Sequence, residues 1–171
     1  MQVLLYYKYI DVPDPAKETE QHRVVAKSLG LRGRVFISSE GINGTCSGTK
    51  ESTDAYKKYL NDHPLFGGIA FKESDSEVHV FEKLFVRLRQ EVVTLRSDVS
   101  AKEAAPYITP KQLHEALERG EDLVLIDMRN DYEAAIGRFR GAKTLTMKNF
   151  RDLPKFLEEL GAFKKIGRAH V

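Results

Sequence analysis

The chain has 171 residues, of which 42% are hydrophobic and 30% are charged, and its net charge at pH 7 is +2. This composition indicates an ordinary folded protein and excludes an intrinsically disordered one. The small net charge excludes a global basic field, so a surface for nucleic acid would have to be local. No apolar stretch approaches the ~20 residues of a membrane span, and the first residues lack the pattern of a signal peptide. The single cysteine, Cys46, excludes an internal disulfide framework and predicts a cytoplasmic protein.

Residues 1–97 alternate strand and helix signals and predict one domain. The run VLLYYKYI is rich in β-branched and aromatic residues and predicts a strand. Asp14 followed by Pro15 predicts the start of a helix that ends at Gly30. RVFISS predicts a second strand, and the Asn-Gly pair within Glu40–Gly44 predicts a tight hairpin turn that returns through TCSGT.

The rest of this domain completes a recognisable order of elements. A second helix is predicted over roughly Lys50 to Asn61, with Ala55, Tyr56, Tyr59 and Leu60 on its apolar side. The runs VHVFEKL and FVRLRQEVVTL predict the last strand, as one or two pieces. The order β-α-β-β-α-β is that of ferredoxin-like domains, so the predicted fold class is α+β, with a ferredoxin-like domain first.

The last predicted strand of this domain carries a basic surface. A period of two places Val86 and Leu88 on one face and positive and aromatic side chains on the other. Helices cover one face of a ferredoxin-like sheet, so basic residues on the other face could contact phosphates while an aromatic ring stacks on a base. A charged, solvated strand that discourages edge pairing is the alternative, and Glu91 favours it. The RNA-binding candidates are Arg32, Arg34, Lys83, Phe85, Arg87 and Arg89.

A small, polar segment at residues 98–106 predicts a linker, and a second unit is predicted at residues 107–165. Thr109 and Pro110 predict a helix start, and DLVLID predicts a buried parallel strand. NDYEAAIG predicts a helix, TLTM a short strand, and the segment from Asp152 to Leu160 another helix. The tail, residues 166–171, lacks a strand pattern and resembles a cloning remnant, with a native tail as the alternative.

The run IDMRNDYEAAIGRFRGA resembles a rhodanese-type domain. The combination of RNDYE, IGRFRGA and the following NFRDLP is a more specific pattern. It resembles the bacterial tRNA uridine hydroxylase family (TrhO). RGRVFISSEGINGTCSGT and KLFVRLRQEVVTL are similar to the first domain of that family, so the resemblance extends to about Lys164. It implies oxygen-dependent hydroxylation of the wobble uridine in certain tRNAs, in the cytoplasm. The implied partner is the tRNA anticodon arm and the implied co-substrate is molecular oxygen; no cofactor is evident.

Members of that family carry a loop of the C-T-G-G-I-R-C kind after the next strand, and the printed sequence does not contain it. The resemblance therefore implies an incomplete rhodanese-like domain, with no catalytic residue in these 171 residues and no activity of this form. We expect Asp127, Arg129 and Glu133 to support that loop, with purely structural pairs or caps as the alternative. Cys46 has no histidine or CxxC partner at fixed spacing and is predicted to be a structural residue.

Other functions can be ranked from the same residues. A rhodanese-type sulfurtransferase is one alternative, and a non-enzymatic RNA-binding or interaction module is the other. The five histidines are scattered without a metal-ligand spacing, so no metal site is predicted. Acylphosphatase activity is discounted because no arginine-bearing loop follows the first strand. Sheet edges left uncovered in the second unit predict possible self-association.

Overall fold

The computed structural model describes residues 1–92, 106 and 108–156. The chain divides into two compact units, Met1–Val93 and Thr94–Val171. The predicted linker at 98–106 lies outside the described residues except for residue 106, as do residues 157–165 and the predicted tail. Within the described segments, no helix has both the length and the apolar character needed to cross a membrane.

The first unit is a five-stranded sheet with two helices. Its strands run in the order β4-β1-β3-β2-β5, and only the pairing of β2 with β5 is parallel. This arrangement confirms the predicted ferredoxin-like fold and adds β5 as an edge strand beside β2. The elements are β1 (Gln2–Tyr9), α1 (Pro15–Ser28), β2 (Arg32–Ser38), β3 (Gly41–Gly48), α2 (Lys50–Asp62), β4 (Phe71–Asp75) and β5 (Leu84–Leu88).

Both helices of the first unit begin at capping residues, of which Asp14 was predicted and Thr49 was not. The Asp14 carboxylate accepts a hydrogen bond from the Lys17 N–H at 2.9 Å, which satisfies one of the free amides at the start of α1. The Thr49 hydroxyl does the same for the Ser52 N–H at 3.2 Å and starts α2. Ala55 is exposed, contrary to its predicted place on the apolar side of α2, whereas Tyr56 and Leu60 are fully buried.

The helices and one face of the sheet enclose a single core. Tyr6 of β1 lies directly opposite Gly44 of β3, and a Cβ built at Gly44 would clash with the Tyr6 hydroxyl. That hydroxyl reaches the hydroxyl of Tyr56 on α2 at 2.8 Å in a buried hydrogen bond. The core therefore joins β1 to α2 across a glycine. The fully buried aliphatic side chains around it include Leu4, Val35, Ile37, Ile42 and Leu60.

The predicted hairpin turn at Glu40–Gly44 is wrong. The turn between β2 and β3 consists of residues 39 and 40, and Ser38 pairs with Gly41. Gly41 has a φ of +143°, a conformation that favours glycine directly after the turn. Gly44 instead lies within β3, because the missing side chain there makes room for Tyr6. Tertiary packing has overridden the local turn preference of the Asn-Gly pair.

The predicted strand VHVFEKL is also wrong, since only its last residue, Leu84, belongs to a strand. The fourth strand is Phe71–Asp75, with the sequence FKESD, and it pairs antiparallel with β1. Four of its five residues are exposed, so it lacks an apolar pattern. Short, charged strands of this kind are typical of protected sheet edges. The other edge is covered in part by Arg23 of α1, whose guanidinium donates to the Val86 carbonyl of β5 at 3.0 Å.

A buried histidine lies between the two helices. His22 of α1 is fully buried, and its Nδ1 donates to the Glu18 carbonyl at 2.9 Å. Its ring packs edge-on against Phe66 and Tyr59, with His63 5.9 Å away. Burial, with a smaller contribution from His63, lowers the pKa of His22 from 6.5 to about 4. The Glu18 carboxylate lies 3.2 Å from His63 Nε2, and both of these side chains are 12% exposed.

The second unit contains short elements around a small core. They are α3 (Pro110–Glu118), β6 (Ile126–Asp127), α4 (Asp131–Ile136), β7 (Lys143–Thr144) and a 3-10 helix (Phe150–Phe156). Thr109 and Gln112 form a capping box that begins α3 as predicted. The parallel pairing of β6 with β7 agrees with an α/β arrangement, and the rhodanese-like assignment stays a prediction. Leu145, Met147 and Leu153 are the buried residues of this core.

The prediction that DLVLID forms a buried strand is wrong for most of its length. Only Ile126 and Asp127 are paired, and Leu123 and Val124 are 39% and 44% exposed. A parallel strand is buried when it has neighbours on both sides and helices on both faces. In the described part of the second unit, β6 has one neighbour, which is two residues long.

We expect Gly44→Ala to destabilise the chain by about 1–3 kcal/mol, because the new methyl group must displace the Tyr6 ring in a packed core. Urea unfolding followed by circular dichroism measures the change. Asn43→Ala is the matched control, since Asn43 is the adjacent residue of β3 and points to the other face. Equal stability of Gly44→Ala and Asn43→Ala would contradict the proposed Tyr6 contact.

We expect the first unit to lose stability as the pH falls from about 6.5 to about 4, because the unfolded chain then binds a proton at His22 that the folded chain does not. The loss is on the order of 3 kcal/mol over the whole range. Urea midpoints measured at several pH values give the slope. His22→Asn keeps an N–H donor near Glu18 but cannot titrate, so its midpoint should fall less over the same range. A parallel decline of both proteins would show that another group is responsible.

Candidate nucleic-acid interface

The face of the first-unit sheet opposite the helices, here called the open face, carries exposed aromatic and basic side chains. Along β1, Leu4 and Tyr6 point into the core, and Leu5, Tyr7 and Tyr9 point the other way. Tyr7 and Tyr9 are 48% and 42% exposed. Their rings meet edge-on, with centroids 6.4 Å apart. The alternation of side chains along a strand produces this separation of the two faces.

Strand register arranges the open face in rows. One row crosses four strands and contains Tyr7, Asn43, Phe36 and Arg87, each directly paired with the next. The adjacent row contains Leu5, Thr45, Arg34 and Phe85 in the same strand order. Neighbouring strands lie ~4.8 Å apart, so the first row extends ~14 Å from Tyr7 to Arg87.

At the β2–β5 side, five residues form a basic–aromatic cluster around a hollow of about 210 Å³. The Arg87 guanidinium lies over the Phe85 ring, and the Arg89 guanidinium lies over the Phe36 ring, each at 5.0 Å from the ring centroid. These cation–π contacts hold two positive charges close to the sheet surface. The cluster consists of Arg34, Phe36, Phe85, Arg87 and Arg89.

The structure brings together four of the six predicted RNA-binding residues, namely Arg34, Phe85, Arg87 and Arg89. Arg32 and Lys83 are exposed at the amino-terminal ends of the same two strands and do not line the hollow. Their role in RNA binding stays a prediction. Sequence reasoning missed Phe36, Tyr7 and Tyr9 on the open face. The alternation of Leu5, Tyr7 and Tyr9 with Leu4, Tyr6 and Lys8 separates the tyrosines of VLLYYKYI onto two faces, but it does not show which face is open, because both carry leucine and tyrosine.

The charged strand residues of the open face have one sign. Among the residues of β1 to β5 whose register places them on this face, none is acidic; the acidic strand residues, Glu73 and Asp75, lie on the helix side. The segment before β5 closes one end of the face, where His79 Nδ1 lies 3.1 Å from the Ser47 hydroxyl and Ser47 is fully buried. The open face is therefore a bounded surface with aromatic rings and positive charge.

In the second unit, Asp127 and Arg129 form an ion pair with each other. The Arg129 guanidinium donates to both Asp127 oxygens, at 2.6 and 2.9 Å, and also to the Gly137 carbonyl at 2.6 Å. The hydrogen bonds from Arg129 hold the pKa of the Asp127 carboxyl below its usual value. The pair thus ties the end of β6 to the end of α4.

Glu133 has a separate role, since its carboxylate accepts a hydrogen bond from the Asn130 N–H at 3.1 Å at the start of α4. Such a bond is one half of a capping box and stabilises the first turn. Asp127, Arg129 and Glu133 therefore organise the segment between β6 and the end of α4. Their predicted support of a cysteine loop stays a prediction.

Cys46 is fully buried in β3, on the core face of the sheet. Burial raises the pKa of the Cys46 thiol to about 12, so the reactive thiolate form is absent at neutral pH. Its location agrees with the predicted structural role. The described histidines, cysteine and carboxylates form no group of three or more suited to hold a metal ion.

Residues 1–92 match the family described as the UPF0176 acylphosphatase like domain. The chain belongs to this family. The match covers the whole five-stranded sheet, including every residue of the basic–aromatic cluster.

Curated relatives extend the similarity into the second unit. A protein of Bacillus mycoides (strain KBAB4) named tRNA uridine(34) hydroxylase is 46% identical over 161 residues, which cover 92% of this chain and 50% of that protein. Proteins of the same name from Shouchella clausii (strain KSM-K16) and Staphylococcus saprophyticus are 48% and 47% identical, again over 92% of this chain. The chain spans about half the length of the curated relatives it matches.

Solved structures are less similar. Klebsiella pneumoniae BlrP1 with FMN and cyclic diGMP is 20% identical, with a TM-score of 0.42, over 53% of this chain and 26% of that chain. A likeness at this score supports no argument about fold or function.

Proposed function

We propose that this chain forms the tRNA-binding part of a cytoplasmic tRNA uridine hydroxylase, which hydroxylates the wobble uridine with molecular oxygen as co-substrate. The observation that carries this proposal is the identity of 46% with a protein named tRNA uridine(34) hydroxylase, over 92% of this chain. The aligned 161 residues are too many to lie within one unit, so the similarity does not depend on one short motif.

The geometry of the open face supports the binding half of the proposal. Guanidinium groups donate several hydrogen bonds in a plane and bind phosphate oxygens well. Arg34, Arg87 and Arg89 lie together around one hollow, with no acidic strand residue beside them on that face. We assign them to the phosphates of the tRNA anticodon arm, which must be held close to a reactive group for the wobble uridine to be modified.

The chemistry belongs to another part of the proposed enzyme. The buried Cys46 thiol cannot reach a substrate and is protonated at neutral pH. We propose that the second unit is rhodanese-like and that the Asp127–Arg129 pair positions a loop whose cysteine acts in a longer protein. In such loops, surrounding backbone N–H groups and positive charge stabilise the thiolate.

Nucleoside mass spectrometry of treated tRNA tests the activity. We expect a chimera, in which this chain continues with the second half of the Bacillus mycoides relative, to produce hydroxylated uridine. The 171-residue polypeptide should produce none, because its one cysteine is buried. Cys46→Ala in the chimera is the control and should retain activity, since the thiol is only a core group. Product from the 171 residues alone, or loss of activity in a folded Cys46→Ala chimera, would contradict the assignment.

Salt-dependent RNA binding tests the role of the arginines. We expect Arg34→Ala and Arg87→Ala each to weaken binding of an anticodon stem-loop and to reduce the slope of log K against log salt by about 1. Lys58→Ala is the matched control, since Lys58 is 76% exposed on α2 at the helix side and pairs with Asp62. Fluorescence anisotropy at several salt concentrations gives both quantities. Equal effects of Arg87→Ala and Lys58→Ala would exclude the basic–aromatic cluster as the binding site.

A further inference from the structure

The open face contains an aromatic surface that phosphate binding does not explain. Tyr7 lies ~14 Å from Arg87 across the sheet, in the same row, and Phe36 lies in that row beside Asn43. Phosphate contacts require positive charge, and the arginines at the β2–β5 side of the sheet already supply it. The Tyr7 ring, 48% exposed, offers a different kind of contact, an aromatic face on which a flat group can stack.

We propose that the open face binds an unpaired stretch of RNA, with one base stacked on Tyr7 and another base of the same stretch stacked on the guanidinium group of Arg87 or Arg89, which lie over Phe85 and Phe36. This inference rests on the proposed function and names the class of substrate at the same site. Bases of single-stranded RNA can stack on aromatic side chains and on arginine planes because their faces are accessible. In a duplex the faces of the bases are covered by their neighbours, so Tyr7 would have no partner.

Three observations favour RNA over a protein partner on this surface. The Arg87 and Arg89 guanidinium groups lie over Phe85 and Phe36 with their Cζ atoms 5.0 Å from the ring centroids, which keeps two planar, positively charged groups at the sheet surface, where a base can stack on them or a phosphate can accept their N–H groups. The strand residues of this face include positive side chains and no acidic ones, which complements a polyanion. Asn43 lies between the two aromatic positions, and its amide can donate to and accept from the edge of a base.

Binding to two RNAs with equal numbers of phosphates tests the proposal. The probes are an unpaired oligonucleotide and a fully paired duplex, and the protein is the complete 171-residue chain. We expect the wild-type chain to bind the unpaired RNA about tenfold more tightly than the duplex. Tyr7→Ala should weaken binding of the unpaired RNA by about tenfold and leave duplex binding unchanged. Tyr7→Phe should retain wild-type affinity because it keeps the ring.

Val24→Ala is the surface control, because Val24 is 59% exposed on α1, on the opposite side of the sheet. This substitution should leave the affinities for both RNAs unchanged. Tyr7 is itself about half exposed, so circular dichroism should show an unchanged fold for both Tyr7 variants. Equal affinity for the duplex, or unchanged binding by Tyr7→Ala, would overturn the stacking proposal while arginine-dependent binding could still hold. Absence of binding to either RNA would overturn both this proposal and the proposed function.

Discussion

Tyr6 and Gly44 lie directly opposite each other on β1 and β3, and the Tyr6 side chain occupies the space that any larger residue at position 44 would need. Beyond the glycine, the Tyr6 hydroxyl meets that of Tyr56 on α2, inside the core. A slip of one residue between β1 and β3 would turn every side chain of one strand to the other face. A slip of β1 would bury Tyr7 in place of Tyr6, and a slip of β3 would place Asn43 or Thr45 against the Tyr6 ring. This contact therefore determines which side chains the open face presents, and the rows that run from Tyr7 to Arg87 depend on it.

Local signals were sufficient to predict the two helices and the first three strands of the first unit. Asp14 with Pro15, and Thr49 before Lys50, act on amides within three residues, so a short window of sequence contains the whole interaction. The fourth strand could not be predicted in this way. FKESD has no apolar period, and it becomes a strand because its backbone pairs with β1, about 70 residues earlier in the sequence. The turn predicted from the Asn-Gly pair was wrong for a related reason. The turn preference of the pair is local, whereas the contact between Tyr6 and Gly44 joins residues that are far apart in the sequence.

The candidate site was also predictable only where a local pattern was sufficient to assign a side chain to one face of the sheet. Arg87 alternates with the buried Val86 on a strand whose outer face is plainly charged, so the sequence alone places it on the surface. β1 gives no such contrast, because both of its faces carry leucine and tyrosine. Which tyrosine lies in the core then depends on β3, and Tyr7 was missed until its partner strand was in place. In the second unit, an apolar run predicted a longer strand than the two residues that find a pairing partner.

Arg129 and the arginines of the basic–aromatic cluster are held in opposite ways, and this difference bears on which of them is suited to bind an anion. Arg129 donates to both oxygens of Asp127 and to a carbonyl, so its charge is neutralised and its donors are directed inward to the chain. The Arg87 and Arg89 guanidinium groups instead lie over aromatic rings, which hold them close to the sheet surface without neutralising their charge. A phosphate that approaches Arg129 must displace a carboxylate, whereas one that approaches Arg87 meets a charge already held in place. The basic–aromatic cluster is thus preorganised for a polyanion, and the Asp127–Arg129 pair is suited to hold a loop.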